Sequence, residues 1–421
     1  MAQGINDQSL ALQLEEVRPD VPVLYQRDKT LFGLIEDKSD GLQTVSTRTY
    51  RIPLEILAGG TFQQINPDGG NLGVGSAITT EPGLLNQVYF SFAMQWTKLT
   101  EVATESKEKA VANFVTRQME RGMEQMHTAM EALMQGDASG TLDSIVSVSG
   151  QVLTMNNANQ FYDNQTVTVY PALGQAARGS FSVLDADSIA GTITADPSTP
   201  LPVGTTTGDL LLVNGSSGVA NTSLNGLAAL QNNTSTGTYL GIQKSAFPGR
   251  LQTPLIAGNS QPITPQKFRL MINQVRIALG AEAPDAAKLI WYMDLGQEAA
   301  WENVGLVVSQ VIQNQVSGKE SVDMLKFNAP KTAAGRPIFA SIHATPGRID
   351  GLCLSHWGRA QIQPVDYYEV NGQTLFPLYG NDGGIATSMV TYLWFGVNIF
   401  NDNPRSGVYS TSNAIPSGYV S

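Results

Sequence analysis

Few residues in this chain have the types and spacing that catalysis or metal binding requires. There are three histidines, His127, His343 and His356, and a single cysteine, Cys353. Cys353 and His356 form a Cys-x-x-His pair, which supplies two ligands where a structural zinc ion is held by four. We therefore interpret Cys353 as a buried strand thiol and His127 as a histidine on the polar face of a helix. The sequence predicts no metal site and no bound cofactor.

Motifs that bind phosphate or activate a nucleophile are also absent from the sequence. It contains no G-x-x-x-x-G-K-[ST] phosphate loop and no G-x-S-x-G nucleophile elbow. Asp185 and Asp187 could begin a calcium loop, but the oxygen-rich spacing and the glycine of such loops are missing, so we interpret them as a turn pair. Without a set of acid, base and nucleophile, we predict that the protein is not an enzyme.

The composition favours β-rich structure with large protein–protein contacts. Only 14% of the 421 residues are charged, against an ordinary share of roughly 25%, and charged residues are depleted in the cores of interfaces. A β-rich soluble protein explains this composition equally well. The net charge of −11 argues against a nucleic-acid binder that works by bulk electrostatics, which needs clustered lysine and arginine. It leaves open a protein that encloses nucleic acid.

The sequence shows no sign of secretion or of a membrane span. The polar, acidic N-terminus is unlike a secretory signal. The longest apolar run, MVTYLWFGVNIF at 389–400, is shorter than the ~18 residues that a membrane helix needs. A single cysteine excludes an intramolecular disulfide framework and suits a reducing cytoplasm. We therefore expect a protein without membrane association.

A glycine-rich extended segment, 47–98, leads directly into a long amphipathic helix predicted from Val102 to Met134. Alternating apolar residues around 50–56 and 88–94 predict the two strands of a long hairpin. Its tip carries six glycines, which we interpret as flexibility: Gly59, Gly60, Gly69, Gly70, Gly73 and Gly75. Because an isolated hairpin is marginal in water, this one needs a partner surface.

The long helix carries an apolar stripe. Residues of this stripe recur every three or four positions and are predicted to pack on the core: Val111, Val115, Met119, Met123, Met126 and Met130. A groove for varied partners is the alternative that its methionines allow. At about 1.5 Å per residue the helix spans roughly 50 Å, which is more than a small domain needs.

The remainder of the chain predicts two further units. Residues 141–213 contain six short apolar runs separated by turn residues, a pattern typical of a small barrel or sandwich that we interpret as an insertion. From 264 onward helices and strands alternate. Thr264 and Pro265 predict the start of a helix, and Gly280 predicts its end.

In this order the elements resemble the major capsid proteins of tailed bacteriophages, which have the Hong Kong 97-like fold. The local runs that carry the resemblance include AAGRPIFASIHATPGRIDGLCLSHWGRAQI and GGIATSMVTYLWFGVNIFND. The resemblance implies an α+β fold with an inserted small all-β domain. Its parts would be an N-terminal arm (1–46), an E-loop hairpin (47–98), a spine helix of the peripheral domain (99–140), the inserted β domain (141–213), connecting and peripheral-domain elements (214–263), an axial domain (264–384), and a return strand with a C-terminal tail (385–421).

This resemblance also implies a function. The chain would self-assemble into hexamers and pentamers of an icosahedral shell in the host bacterial cytoplasm. As the capsid of a virion, this shell would enclose double-stranded DNA without reading its sequence. Portal and scaffolding or decoration proteins would be its other partners.

Two variations known in that family can be checked against the sequence. Some members crosslink subunits through a lysine on the E-loop, but no lysine occurs between residues 39 and 97. We therefore expect the E-loop and N-terminal arm contacts to be non-covalent. Some members carry a cleaved N-terminal scaffold of about a hundred residues, and the short arm predicts neither a fused scaffold nor its cleavage.

Two other classes remain open at this point. A protein nanocompartment of the encapsulin type shares the fold, although its chains are usually smaller and need no inserted domain. A β-rich surface or fibre protein is the second alternative. The long helix and the absence of a signal peptide argue against it.

Overall fold

The computed structural model describes residues 28–46, 48–64, 73–97, 108–219, 221–280, 284–313, 332–379 and 385–415. At 108–119, 305–313 and 385–386 it describes the backbone without the side chains. No helix within these ranges is long and apolar enough to cross a membrane.

An extended hairpin precedes a long helix in the N-terminal third of the chain. The elements of this part are α1 (Thr30–Leu34), β1 (Gln43–Ser46), β2 (Thr49–Leu57), β3 (Thr79–Asn86), β4 (Val88–Thr97) and α2 (Glu108–Leu133). β1, β2 and β3 form an antiparallel sheet in that order. α2 ends one residue before the predicted end at Met134, and the predicted start at Val102 lies outside the described residues.

The strand that closes the hairpin differs from the prediction. We expected the run at 88–94 to pair with the strand around Tyr50, but β2 pairs with β3, and Pro82 lies opposite Pro53. β3 reads TTEPGLLN, a sequence with little β propensity, so its pattern predicts no strand. β4, which contains the alternating run, lies antiparallel to a long strand near the C-terminus.

A closed six-stranded barrel follows α2. Its strands are β5 (Thr141–Ser149), β6 (Val152–Met155), β7 (Thr166–Tyr170), β8 (Gly179–Asp187), β9 (Thr192–Ala195) and β10 (Leu210–Val213). They pair in the order β10-β5-β6-β9-β8-β7, and β7 closes the ring against β10. Its core includes Leu153, Val167, Phe181, Ile193 and Leu211. The fold therefore contains the inserted small all-β unit that the sequence predicts.

The described remainder of the chain begins with interspersed helices and strands and ends with seven strands and no α-helix between them. These elements are α3 (Leu227–Leu230), β11 (Thr238–Tyr239), β12 (Ile242–Gln243), β13 (Leu255–Ala257), α4 (Pro265–Leu279), β14 (Leu289–Asp294), α5 (Leu295–Gln313), β15 (Thr332–Ala333), β16 (Arg336–Ser341), β17 (Ile349–Cys353), β18 (Trp357–Tyr367), β19 (Phe376–Tyr379), β20 (Ile385–Asn401) and β21 (Val408–Thr411). α4 has its predicted signals. The Thr264 side chain accepts a hydrogen bond from the Lys267 N–H, Pro265 is the first residue, and Gly280 follows the end at φ +111°.

Two sheets organise this part of the chain. The six-stranded sheet has the order β13-β21-β17-β14-β16-β15, and its strand β14 is buried along its whole length. The second sheet is built on β20, which pairs with β18 and β19 on one side and with β4 on the other. β20 therefore joins the end of the chain to the strand that precedes α2.

The three larger hydrophobic cores of the described residues hold these layers together. The largest combines α1, the base of the hairpin, the second half of α2 and β20. A second core lies between α4 and the six-stranded sheet and contains Phe268, Met271 and Trp291. The barrel interior is the third. The architecture is α+β, with the barrel inserted between α2 and the two sheets.

Candidate functional site

The extended hairpin is attached to the rest of the chain at its base. Tyr50, Ile52 and Leu54 on β2 and Leu85 on β3 are buried there. The Tyr50 hydroxyl donates a hydrogen bond to the Gln361 carbonyl at 3.1 Å. Beyond Leu54, most described residues of the hairpin are exposed. The described residues of its outer half therefore form no core of their own.

Large apolar side chains face water near the tip of the hairpin. Phe62 is fully exposed, Val74 is 89% exposed and Ile78 is 59% exposed. Full burial of one such side chain stabilises a protein by roughly 1.5–3 kcal/mol, and a single chain does not gain this stabilisation. An apolar surface of this kind is typical of a contact with another protein.

Backbone geometry explains three of the six tip glycines. A Cβ atom on Gly59 would lie 2.6 Å from the Ser76 carbonyl oxygen, and Gly60 and Gly73 have φ angles of +99° and +73°. At these positions the backbone geometry itself requires glycine, because a larger residue would clash or be strained, and the predicted flexibility stays a prediction. Around Gly75 there is room for a side chain. Two of the predicted glycines lie outside the described residues: Gly69 and Gly70.

The stripe of α2 has a buried part and an exposed part. Met126 and Met130 are each 3% exposed and lie in the largest core. Met123 is 37% exposed, so its predicted packing in the core is wrong for the single chain, because the neighbouring elements leave that side of the helix open. The predicted packing of three residues stays a prediction, since their side chains are outside the described part of the chain: Val111, Val115 and Met119.

A buried carboxylate connects three parts of the chain behind the hairpin. Glu131 on α2 has no exposed surface. Its oxygens accept hydrogen bonds from the Leu31 N–H at 2.9 Å and the Phe32 N–H at 2.8 Å, both in α1. The Tyr292 hydroxyl on β14 donates to the same carboxylate at 2.9 Å. We call these four residues the Glu131 clasp, since they tie α1, α2 and the six-stranded sheet together.

Burial dominates the electrostatics of the Glu131 clasp. It raises the pKa of Glu131 to about 7, although the hydrogen bonds that the carboxylate accepts oppose the rise. Asp28 adds to the rise through its negative charge, and its own carboxylate accepts the Ile342 N–H at 3.1 Å. The clasp is therefore sensitive to pH near neutrality.

Two of the three histidines lie close to the clasp. The His127 ring is half-buried against the Phe32 ring, with 5.0 Å between the ring centroids, so the predicted open polar face is wrong. Burial lowers the pKa of His127. His343 is buried in the turn after β16, where burial lowers its pKa to about 4. Both rings are therefore neutral at pH 7.

The third histidine lies beside the cysteine. Cys353 is buried at the end of β17. The His356 Nδ1 atom lies 2.5 Å from an Asp402 oxygen, and its Nε2 atom lies 3.2 Å from an Asp285 oxygen. The hydrogen bond to Asp402 is the main cause that raises the pKa of His356. The Cys-x-x-His pair is thus surrounded by two carboxylates that its sequence spacing did not reveal.

The barrel is joined to the body by hydrogen bonds from one of its loops. The Asn157 and Gln160 side chains donate to the carbonyls of Ile342 and His343, at 3.4 and 2.7 Å. At the end of β8, the Asp187 carboxylate accepts two backbone N–H groups of the following residues at 2.9 Å. The predicted turn pair is therefore only half right, because Asp187 caps this turn whereas Asp185 lies within β8 opposite Thr194.

The functional residues that sequence reasoning missed act across long separations. Glu131 and Tyr292 are 161 residues apart, and Asp285 and His356 are 71 apart. A glutamate next to Met130 on a buried stripe was the one available signal for the clasp. No local pattern marks Asp285 or Asp402.

Comparison with known proteins finds similar structures but no similar sequences among family models and curated proteins. No protein-family model matches the chain, and no curated protein matches it. It is similar to a solved structure of the cyanophage A-1(L) capsid asymmetric unit, with 13% identity, a TM-score of 0.51, and coverage of 94% of this chain and 99% of that chain. It is also similar to the capsid of Myoviridae phage XM1, with 11% identity, a TM-score of 0.44, and coverage of 98% of this chain and 99% of that chain. A third similar structure is the holo-SrpI encapsulin complex from Synechococcus elongatus PCC 7942, with 10% identity, a TM-score of 0.46, and coverage of 100% of this chain and 99% of that chain.

The cyanophage likeness covers nearly the whole of both chains. The extended hairpin, the long helix, the two sheets of the C-terminal part and the inserted barrel occur in the order that the resemblance predicts. The chain therefore has the Hong Kong 97-like capsid fold.

Proposed function

We propose that this chain is a major capsid protein of a tailed bacteriophage. Copies of it assemble into hexamers and pentamers of an icosahedral shell, which encloses double-stranded DNA without sequence-specific binding. One observation carries the proposal: a chain with a capsid fold leaves apolar side chains near the tip of its extended hairpin unburied. The protein acts by geometry and not as an enzyme.

In this proposal the hairpin is the E-loop and lies over a neighbouring copy. The apolar side chains that are exposed in a single chain become buried in this contact: Phe62, Val74 and Ile78. β1 and β3 are the two edges of the hairpin sheet, and a symmetric shell covers strand edges that would otherwise invite aggregation. With no lysine between residues 39 and 97, packing and hydrogen bonds hold this contact.

In this proposal the remaining parts take the roles that the resemblance implies. Residues 264–384 form the axial domain, which meets its copies at the five- and six-fold centres. Residues 141–213 form an added domain for contacts outside this lattice. Assembly takes place in the host bacterial cytoplasm, with portal and scaffolding or decoration proteins as further partners.

Electron microscopy of the full-length protein with and without candidate scaffolding proteins tests the proposal. Wild type should give closed shells. Phe62→Asp places a charge in the proposed contact and should abolish them, while Phe62→Leu keeps an apolar side chain and should retain them. Circular dichroism and melting should show all three proteins folded, because Phe62 contacts no core in the single chain.

Three outcomes would count against the proposal. If wild type stays monomeric with every scaffold, the assembly function is wrong. If Phe62→Asp forms normal shells, the hairpin is not the contact. If shells purified from infected or expressing cells hold protein cargo and no DNA, the nanocompartment alternative replaces the capsid.

A further inference from the structure

Three separate segments of the chain bring four side chains of metal-ligating types together beside β17. Cys353 ends that strand, His356 lies in the turn after it, Asp285 lies in the turn before β14, and Asp402 follows β20. The Cys353 sulfur, a His356 ring nitrogen and an Asp285 oxygen all lie within 4.8 Å of one another. Sulfur, nitrogen and oxygen donors of these types are the ligands of zinc in proteins.

The spacing of these atoms suits a metal ion between them. The His356 Nε2 atom and the Asp285 oxygen are 3.2 Å apart. In tetrahedral coordination with metal–nitrogen and metal–oxygen bonds of about 2.0 Å, two ligand atoms are separated by about 3.3 Å. The two side chains therefore need almost no movement to share an ion, and Cys353 approaches from the buried side.

Asp402 completes the arrangement on the other side of the imidazole. Its carboxylate lies 2.5 Å from His356 Nδ1. A carboxylate there fixes the proton on Nδ1, orients the ring and leaves Nε2 free for a metal, and metal-bound histidines almost always have such a partner. Asp402 is thus a positioning residue and not a ligand.

We propose that Asp285, Cys353 and His356 bind one zinc ion, with water as the fourth ligand and with Asp402 orienting His356. The thiolate and imidazole select zinc over magnesium and calcium, which prefer oxygen donors. The His356 and Asp285 side chains keep 24% and 18% of their surface exposed, so solvent and the ion can reach the site. The ion would tie the turn before β14 to the ends of β17 and β20.

The competing arrangement has no metal. There, His356 is a protonated ring between two carboxylates, which accounts for the same two short contacts. The two arrangements differ at Cys353, because a thiolate is a ligand of the metal and takes no part in the ion pairs. A test must therefore detect whether the Cys353 sulfur is bound to the metal.

Metal-stripped full-length protein, titrated with zinc against a chromophoric chelator and separately with cobalt, tests the proposal. We expect one zinc per chain and a near-ultraviolet thiolate-to-cobalt charge-transfer band. Cys353→Ser should remove the band and the tight binding, and Asp285→Asn should weaken the binding. Asp402→Asn should keep the band and lower the affinity by about 10- to 100-fold. Asp366→Asn, which neutralises an exposed carboxylate on β18, should change neither the charge-transfer band nor the zinc affinity.

Several results would overturn the proposal. These are the absence of stoichiometric zinc, a cobalt spectrum without the thiolate band, and equal affinities in wild type and Asp285→Asn. If Cys353→Ser does not fold, Asp285→Asn and Asp402→Asn decide the question, because both replace partly exposed side chains. None of these measurements requires the protein to assemble, so their outcome is independent of the proposed capsid function.

Discussion

Replacing Glu131 with glutamine should remove one component of the pH dependence of stability. Glu131 is fully buried, and its oxygens accept hydrogen bonds from Leu31, Phe32 and Tyr292 at 2.8–2.9 Å. Burial raises its pKa from 4.5 to about 7 in the folded chain. Glutamine has the same shape and stays neutral at every pH, so the difference between the two proteins isolates the ionisation of this group.

The sign and the size of the effect follow from that pKa. Because the folded chain holds the proton more tightly than the unfolded chain, Glu131 stabilises the fold fully below pH 4.5, and this contribution is lost as the pH rises through 7. At roughly 1.4 kcal/mol per pKa unit, the rise corresponds to about 3 kcal/mol. The free energy of unfolding of wild type relative to Glu131→Gln should therefore fall by about 3 kcal/mol between pH 4.5 and pH 8.

Urea unfolding of both proteins at half-unit steps from pH 4.5 to 8 measures this difference. Hydrogen exchange of the segment around Leu31 reports the same change locally, since its amide bonds to Glu131. Glu36→Gln, on an exposed position near α1, controls for the loss of one negative charge. If the difference between wild type and Glu131→Gln does not vary with pH, burial does not govern this carboxylate and the reasoning fails.

Two further substitutions test the packing of the body. Met130→Glu should lower the free energy of unfolding by at least about 3 kcal/mol, since Met130 is buried and a charge would have no partner there. Met123→Glu is the matched control in thermal melts. Equal losses of stability in the two variants would contradict the division of the stripe into a buried and an exposed part. Gly226→Ala should lower the free energy of unfolding by at least about 2 kcal/mol, because its Cβ would lie 2.6 Å from the Gly136 nitrogen. Gly41→Ala is the control, because its Cβ would meet nothing within 4 Å. Equal melting temperatures of the two alanine variants would refute that close approach.

Local signals in the sequence are sufficient for most of the helices and strands. The barrel strands β5 to β10 fall on the six predicted runs, and each strand contributes apolar residues to the barrel core. α4 is predictable at both ends, since Thr264, Pro265 and Gly280 act through the backbone of their own helix. These elements are specified by residues close together in the chain.

Pairing between distant segments is less accessible to sequence reasoning. β3 contains Pro82 and Gly83, and it becomes a strand because β2 supplies a partner whose own Pro53 lies opposite Pro82. Likewise, Met123 fits the helical stripe as well as Met126 does. Which of the two is covered depends on where other elements pack, and no residue of α2 encodes that.

The same limit applies more strongly to the polar sites. Asp285 has no motif of its own, and it gains significance from His356, 71 residues later. Cys353 and His356 alone supply too few ligands for a metal site, so the sequence favours a buried thiol. The tertiary structure places the Asp285 carboxylate near both residues and the Asp402 carboxylate beside His356, and the proposed zinc site rests on this arrangement.

The distribution of buried groups separates the stability of the body from that of the hairpin. The Glu131 clasp and the base of the hairpin lie in a core that one chain completes by itself. From Phe62 to Ile78, the described apolar side chains face water, so their burial depends on another copy. In the proposed shell, burial of these side chains then contributes to the free energy of subunit association. A tip variant should shift assembly while leaving the pH dependence of the clasp unchanged, because the two are stabilised by different contacts.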